Sequence, residues 1–177
     1  MIQGSEITLV KPQLDLAGDV RDALIESYDD HRKYLTWAEP NTSLETVTQN
    51  IKQAIHNFEN DVNEYRFFIL RNSDSRLVGT VGLLIKNLQI PYLEIGYWVR
   101  SSESGKGYIS KAVEMLEDYA VKQLKARRLE IRMAESNIRS RRVAERAGYA
   151  LEARIQSDRL LPDGTIENSL IYCKLYS

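Results

Sequence analysis

The sequence is short of several things, and each shortage closes off a class of function. It has one cysteine, Cys173, in 177 residues. An internal disulfide and a cysteine-based zinc site are therefore excluded. His31 and His56 are its two histidines, so a histidine-rich metal centre is not expected and the metal site is read as none. No apolar run approaches the roughly 20 residues that a membrane-spanning helix needs. The N-terminal MIQGSEITLV holds no basic segment followed by an apolar stretch. No secretory signal is expected from it, and the cytoplasm is the default location. No repeat, low-complexity tract or Pro/Gly/Ser-rich linker divides the chain. A single domain over 1–177, long enough for a full core, is expected.

Net charge is also scarce, at −1. Its distribution is less even. Residues 1–64 carry 12 acidic and 5 basic side chains, and the remainder carries 13 acidic and 19 basic. Two readings stand side by side: chance on solvated faces, or a basic half receiving an anionic ligand and an acidic half receiving a cationic one.

What is present is an alternation of strand-like and helix-like segments. ITLVKP (Ile7–Pro12) reads as a strand and Asp15–Tyr28 as a helix, continued irregularly by HRKYLTW. Thr42 with Glu45 reads as a capping box, placing a second helix over about Ser43–Asn57. Three strands follow: Tyr65–Leu70, Arg76–Ile85 and Pro91–Val99, the first two joined by the turn residues Asn72–Ser75. From Gly107, apolar residues recur at Ile109, Ala112, Val113, Leu116, Ala120 and Leu124, a helical spacing with one buried face. Arg128–Ala134 alternates as a strand. A short helix begins at Asn137 and is stopped by Gly148. Two last strands, around Ala150–Asp158 and Ile166–Leu175, flank the turn Pro162–Gly164. The fold class is a mixed α/β domain, largely antiparallel, with one strand–helix–strand crossover.

ESGKGYISKAV (Glu103–Val113) lies inside that crossover. A strand, a loop and a helix starting near Gly107 present free backbone N–H groups and the positive end of a helix dipole, which favour an anion. Gly105 and Gly107 lack Cβ and let the backbone approach an oxygen closely. A Walker A loop needs Ser or Thr after its lysine, and Gly107 follows Lys106. The dinucleotide fingerprint needs a third glycine, and Ser110 stands there. A tight loop with no ligand is the plain alternative at this point.

The wider context decides it. LEIGYWV, SGKGYISKAVEML and RRLEIRMAESNIRSRRVAERAGY together resemble the GNAT superfamily of acetyl-CoA-dependent N-acetyltransferases, and more closely its Rim-type branch, which acetylates N-termini of ribosomal proteins. The resemblance covers nearly the whole chain, with its specific motifs between Glu94 and Asp158. The family's cofactor motif, Gln/Arg-x-x-Gly-x-Gly/Ala, here reads Ser102-Glu103-Ser104-Gly105-Lys106-Gly107. The glycines match and Ser102 departs, which puts one side-chain contact in doubt.

The resemblance implies a GNAT fold, with a central sheet whose strands splay apart beside Glu94–Val99, and acetyl-CoA as cosubstrate. Its pyrophosphate would sit on Ser104, Gly105, Lys106, Gly107, Tyr108 and Ile109. Its pantetheine arm would run along Tyr97, Trp98 and Val99 and meet Asn137 and Ser140. An oxyanion would be held by a main-chain N–H near Tyr97 or Trp98. Many GNAT enzymes carry a tyrosine acid seven residues after the asparagine. That position is Ala144, and the Asn-x-x-Ser of the Rim-type pattern makes Ser140 the proton donor to the thiolate. The Rim-type base, a carboxylate in a Gln-x-acid segment, maps to Asp158 in QSD, one methylene shorter than the usual glutamate. Tyr149 reads as a packed aromatic rather than a rival acid, and Cys173, with no histidine near it in sequence, as buried and structural.

On the acceptor side, Tyr34 and Trp37 in HRKYLTWAEP read either as substrate-stacking aromatics or as packing residues. His31 and His56 read as surface or packing residues, with His31 near the acceptor mouth. Lys122, Lys125, Arg127, Arg128, Arg139, Arg141 and Arg142 form a basic set without interleaved aromatics, so no nucleic-acid partner and no membrane partner is expected. Three functions follow: acetylation of a protein N-terminus, acetylation of a small amine (aminoglycoside, polyamine or aminoacyl-nucleotide toxin), and a non-catalytic acyl-CoA-binding module. A homodimer is compatible with each.

Overall fold

The computed structural model describes residues 1–177. Its elements run β1 (Ile2–Gln3), β2 (Ile7–Val10), α1 (Ala17–Glu26), α2 (Tyr28–His31), α3 (Leu44–Glu59), β3 (Glu64–Arg71), β4 (Leu77–Asn87), β5 (Tyr92–Val99), α4 (Tyr108–Leu124), β6 (Arg128–Ala134), α5 (Ile138–Arg146), β7 (Ala150–Leu160) and β8 (Ile166–Leu175). Short 3-10 turns precede α1 (Leu14–Leu16) and α4 (Ser101–Glu103).

The eight strands form one sheet in the order β1-β2-β3-β4-β5-β6-β8-β7. Every neighbouring pair is antiparallel except β5 and β6. Those two are parallel because α4 carries the chain back across the sheet, as a crossover must. Their ladder covers only Tyr92–Glu94 against Arg128–Glu130. Beyond Glu94, β5 pairs with β4 alone, and beyond Glu130, β6 pairs with β8 alone. The sheet is therefore split by a gap that opens from Glu94 and Glu130 toward the C-terminal ends of both strands.

Side-chain alternation along the strands assigns the two faces. On one face α4 and α5 pack Ile109, Ala112, Val113, Leu116, Val143 and Ala144 against Ile95, Leu129, Ile131 and Met133 in the larger core. On the other, α1 and α3 pack Val20, Ala23, Val47 and Ile51 against Phe68 and Leu77, with Trp98 at the edge. The helical spacing read from Ile109 to Ala120 is the buried stripe of α4. Truncating a fully buried leucine such as Leu116 to alanine costs on the order of 2–5 kcal/mol.

Four sequence expectations change. The first helix does not run on to Tyr28. It ends at Glu26, because Ser27 leaves helical geometry (φ −101°, ψ 5°) and its buried hydroxyl accepts from Ser101 N at 2.9 Å. The cap of α3 is Ser43, whose Oγ accepts from Thr46 N at 3.0 Å, while Thr42 donates its hydroxyl to Glu39 O. β7 extends past Asp158 to Leu160, through a register shift in which Ser157 takes φ 50°. A two-residue strand, β1, was not foreseen. The Gly148 stop holds: with φ 79°, its N–H and that of Tyr149 reach back to Glu145 O and Ala144 O.

Candidate active site

The gap exposes one edge of β5. Arg100 N donates to Val78 O at 2.8 Å, and Val99 pairs with Gly79. Main-chain polar groups alternate sides along a strand. Those of Tyr97 and Val99 therefore turn into the gap, and those of Trp98 turn to β4. Of the two positions expected to offer an oxyanion donor, Tyr97 faces the gap and Trp98 does not. An extended ligand bearing amides would find a strand edge ready for pairing.

At the open end of β5 lies the glycine loop. Gly105 and Gly107 have φ 79° and 82°, and a Cβ built on either meets nothing within 4 Å. The glycines are required by backbone dihedral, not by crowding from the protein. Gly107 is also the N-cap of α4. No side chain caps this end and no acidic residue lies in its first turn. The first N–H donors of a 17-residue helix thus have no side-chain cap. These features, together with the free strand edge, fit the pyrophosphate and amide-bearing arm of coenzyme A.

Below the loop, Glu103 is buried and accepts from Arg71 Nη1 and Lys106 Nζ, each at 2.9 Å, with Arg76 Nε at 3.7 Å. Lys106 thus leans on Glu103, and the loop owes its firmness to a buried carboxylate that serves three cations. Arg76 Nη2 is also 3.4 Å from Ser102 Oγ. A guanidinium from the β3–β4 hairpin therefore stands beside the motif position that lacks its usual Gln or Arg.

α5 brings Asn137 and Ser140 to the same face. Asn137 Oδ1 accepts from Ser140 N at 3.1 Å, capping α5 and leaving its amide NH2 free to donate. Capping is thus done by Asn137, and the Ser140 hydroxyl is spent elsewhere: its Oγ lies 2.8 Å from Tyr97 Oη. Burial pushes the Tyr97 phenol up to about 12, against the opposing pull of the Ser140 hydrogen bond. Ala144, at the position where many GNAT enzymes carry a tyrosine, is fully buried.

The other face holds the acceptor-side residues. Asp158 is tied at both oxygens: Oδ1 accepts from Ser169 N at 3.0 Å and Oδ2 from Arg132 Nη2 at 3.2 Å. Arg132 alternates with Ile131 and Met133 of the larger core, so it and Asp158 lie across the sheet from Ser140. The two expected catalytic groups lie on opposite faces of the sheet, Ser140 against Tyr97 of β5 and Asp158 against Arg132 of β6. Tyr34 donates its hydroxyl to Ser136 O at 3.2 Å, between β6 and α5. Trp37 stands half exposed, its ring 6.3 Å from that of His31.

His31 is buried, not on the surface. Its Nε2 is 3.0 Å from Val99 O, and its ring meets Trp98 edge-on at 5.4 Å. Burial holds its pKa below the ordinary histidine value, with the Val99 carbonyl and Asp30 acting in the opposite sense. Its neighbours grip the next residues. Glu26 accepts from Arg100 Nε (2.6 Å) and Ser102 N (3.2 Å), and Asp30 accepts from Ser101 Oγ (2.7 Å). That hydrogen bond, more than any other influence, keeps the Asp30 carboxyl below its usual range. The turn from Glu26 to His31 thus clamps the strand end and loop that lead into the glycine cradle. No local motif announced it, since each contact spans 68–76 residues.

Among the remaining candidates, Arg139 Nη1 reaches Asp30 Oδ1 at 3.5 Å. His56 is exposed, and Tyr149 and Cys173 are buried, burial raising the pKa of both. In the basic set, Lys122, Arg128 and Arg141 pair with Asp118, Glu130 and Glu145. No group of side chains suited to a metal ion is formed, and no helix is long and apolar enough to cross a membrane.

A split mixed sheet, a free strand edge and a glycine-capped helix start define an acyl-CoA N-acyltransferase architecture. The chain matches the acetyltransferase (GNAT) domain family over residues 6–150 and belongs to that family. It is an N-acetyltransferase with acetyl-CoA as cosubstrate, of the Rim-type branch. It is 34% identical over 150 residues to YjcK of Bacillus subtilis strain 168, named a probable N-acetyltransferase, covering 83% of this chain and 78% of that one. It is 36% identical over 70 residues to the ribosomal-protein-serine acetyltransferase of Escherichia coli K12, covering 40% and 39%. In fold it is similar to the microcin C7 self-immunity acetyltransferase MccE, solved with acetyl-CoA and AMP, at a TM-score of 0.89 and 24% identity over 98% of this chain and 94% of that one.

Proposed function

We propose that the chain acetylates the α-amine of a protein N-terminus by direct transfer from acetyl-CoA. The observation that carries this is the gap itself: a strand edge and anion cradle on one side, Tyr34 and the half-exposed Trp37 on the other. An exposed aromatic of this kind suits an extended chain passing over it. The similarity to a ribosomal-protein-serine acetyltransferase supports a peptide acceptor.

In this reading Ser104, Gly105, Lys106, Gly107, Tyr108 and Ile109 hold the pyrophosphate. The Tyr97 main chain and the Val99 N–H pair with the pantetheine amides, the Val99 carbonyl being held by His31, and the Asn137 amide orients the arm. The acceptor nitrogen enters neutral and attacks the thioester carbon, forming the C–N bond. The Tyr97 N–H stabilises the oxygen as it gains charge. When the C–S bond breaks, its electron pair goes to sulfur, which takes the Ser140 proton. The nitrogen sheds its proton to Asp158, directly or through one water, and exchange with solvent restores both groups. Asp158 already accepts from Arg132 and Ser169 N, so it is fixed in place and a bridging water suits its short side chain.

The test is thiol release from acetyl-CoA with peptides bearing free N-termini, N-blocked copies of them, polyamines, aminoglycosides and aminoacyl-nucleotides. Turnover only with free N-termini is expected. Turnover only with one of the small amines overturns the acceptor assignment. Tight acetyl-CoA binding with no turnover on any amine overturns catalysis in favour of a regulatory module.

A further inference from the structure

Tyr97 is expected to serve the cofactor through its main chain, and nothing in that role uses its hydroxyl. Yet the side chain of Tyr97 crosses from β5 to α5 and ends 2.8 Å from Ser140 Oγ and 3.3 Å from Ser140 O. It therefore ties the free arm of the split sheet to the helix on the other side of the gap. We propose that the Tyr97 hydroxyl is a positioning residue for Ser140, aiming the serine proton at the leaving sulfur. The proposal rests on Ser140 as the acid, as read above.

The argument is one of hydrogen counting. Each hydroxyl has a single hydrogen and two lone pairs. Ser140 O can only accept, so when Tyr97 donates there, the Ser140 proton points back at Tyr97 Oη and is unavailable. When Tyr97 donates to Ser140 Oγ instead, the serine proton is free to face another acceptor. The two arrangements use the same pair of oxygens and differ by rotation about two C–O bonds. An incoming sulfur selects the second, because only there does it receive a proton. Tyr97 stays the donor throughout, since its burial keeps the phenol protonated through the neutral range. A serine hydroxyl without this partner would rotate freely and spend part of its time pointing elsewhere. As the serine proton leaves for sulfur, the Tyr97 O–H donates to Ser140 Oγ and stabilises the charge that develops there.

Tyr97→Phe removes the hydroxyl and keeps the ring and the strand backbone. Proton donation matters most when the leaving thiolate is basic. The variant and wild type are therefore compared with acetyl-CoA and with the acetyl thioester of a more acidic aromatic thiol. A loss of about tenfold in turnover with acetyl-CoA, shrinking to less than about twofold with the aromatic thioester, is expected, with KM for acetyl-CoA within about twofold. In a Ser140→Ala background, Tyr97→Phe should add nothing. The two donors are compared on one preparation, so any loss of folded protein cancels from their ratio.

Equal loss with both donors, or a further loss in the Ser140→Ala background, overturns the role of Tyr97. If Ser140→Ala shows the leaving-group dependence and Tyr97→Phe does not, the serine stands as acid and only the positioning role fails. If neither variant shows it, the acid assignment fails and takes this proposal with it.

Discussion

On the α4–α5 side of the gap, the working groups are near one another in sequence. Gly105 and Gly107 shape the loop, α4 starts at once behind them, and Asn137 caps a helix three residues before Ser140. On the α1–α3 side, Glu26, Ser27, Asp30 and His31 reach residues 68–76 positions away, and Tyr34 reaches Ser136 across 102. The cofactor side takes its shape from backbone geometry and local caps, which a short motif specifies, and its support from distant residues such as Arg71 and Asp30. The acceptor side is built from side chains that meet only when the sheet has formed. An enzyme family can keep the first constant and vary the second, because a change of acceptor contact disturbs no local backbone requirement.

The sharpest way to separate the sides is at the chemistry between them. Ser140→Ala is expected to lower turnover about a hundredfold, with acetyl-CoA affinity within about twofold, measured by thiol release and by titration calorimetry. Unchanged turnover would remove Ser140 from the mechanism.

Next comes the backbone of the cradle. Gly107→Ala forces a Cβ into a left-handed conformation, at about 1–2 kcal/mol, and places it where the phosphate approaches. An increase of about tenfold in KM for acetyl-CoA is expected, the acceptor KM holding steady, since about 1.4 kcal/mol of binding corresponds to a factor of ten. If both constants rise together, the loop is not a cofactor element alone.

Asp30→Ala attacks the division itself. Asp30 sits on an acceptor-side helix but accepts from the cofactor-loop residue Ser101. A rise of about fivefold in KM for acetyl-CoA is expected, below the full worth of a charge-assisted hydrogen bond because the group is partly solvated. Asp29→Ala, whose carboxylate is exposed and meets only Arg32, is the control and should change nothing. Equal kinetics for the two variants would mean that the clamp does not transmit to the cradle.

The smallest expected effect concerns His31. Its pKa is held below the unfolded value, so as pH falls through the ordinary histidine range the unfolded chain takes up a proton that the folded chain refuses. Stability is therefore complete above the unfolded pKa and declines as the medium is acidified. His31→Gln, keeping a donor for Val99 O, should flatten the difference between urea melts at neutral and mildly acidic pH. A slope as steep as that of the wild type would place its origin elsewhere.

Much of this molecule was legible as sequence. Periodicity located α4 and its buried stripe, and β-branched and aromatic runs located β3 to β6 and β8. Where local reading failed, a tertiary contact or an equally good local competitor won. Ser27 looks unremarkable in a helical stretch, and only its bond to Ser101 N marks where α1 stops. Thr42 and Ser43 are both acceptable caps, and the chain took the second. The ion pair of Lys106 with the buried Glu103 could not be read from the loop, since nothing in the sequence marks Glu103 as buried. Tyr97 was legible as a strand residue, but its hydroxyl partner lies 43 residues on.

By itself the sequence determined the strand–loop–helix of the cradle and the capped start of α5, because these depend on φ angles, caps and helix ends set by adjacent residues; the ligand was read from the family resemblance. The tertiary structure alone decided that β5 and β6 part after Glu94 and Glu130, that Ser140 and Asp158 lie on opposite faces of the sheet, and that a turn of the acceptor-side helices grips the cofactor loop. The physical reason is that strand pairing and side-chain hydrogen bonds join positions tens of residues apart, and their partners are chosen by the packing of the whole sheet.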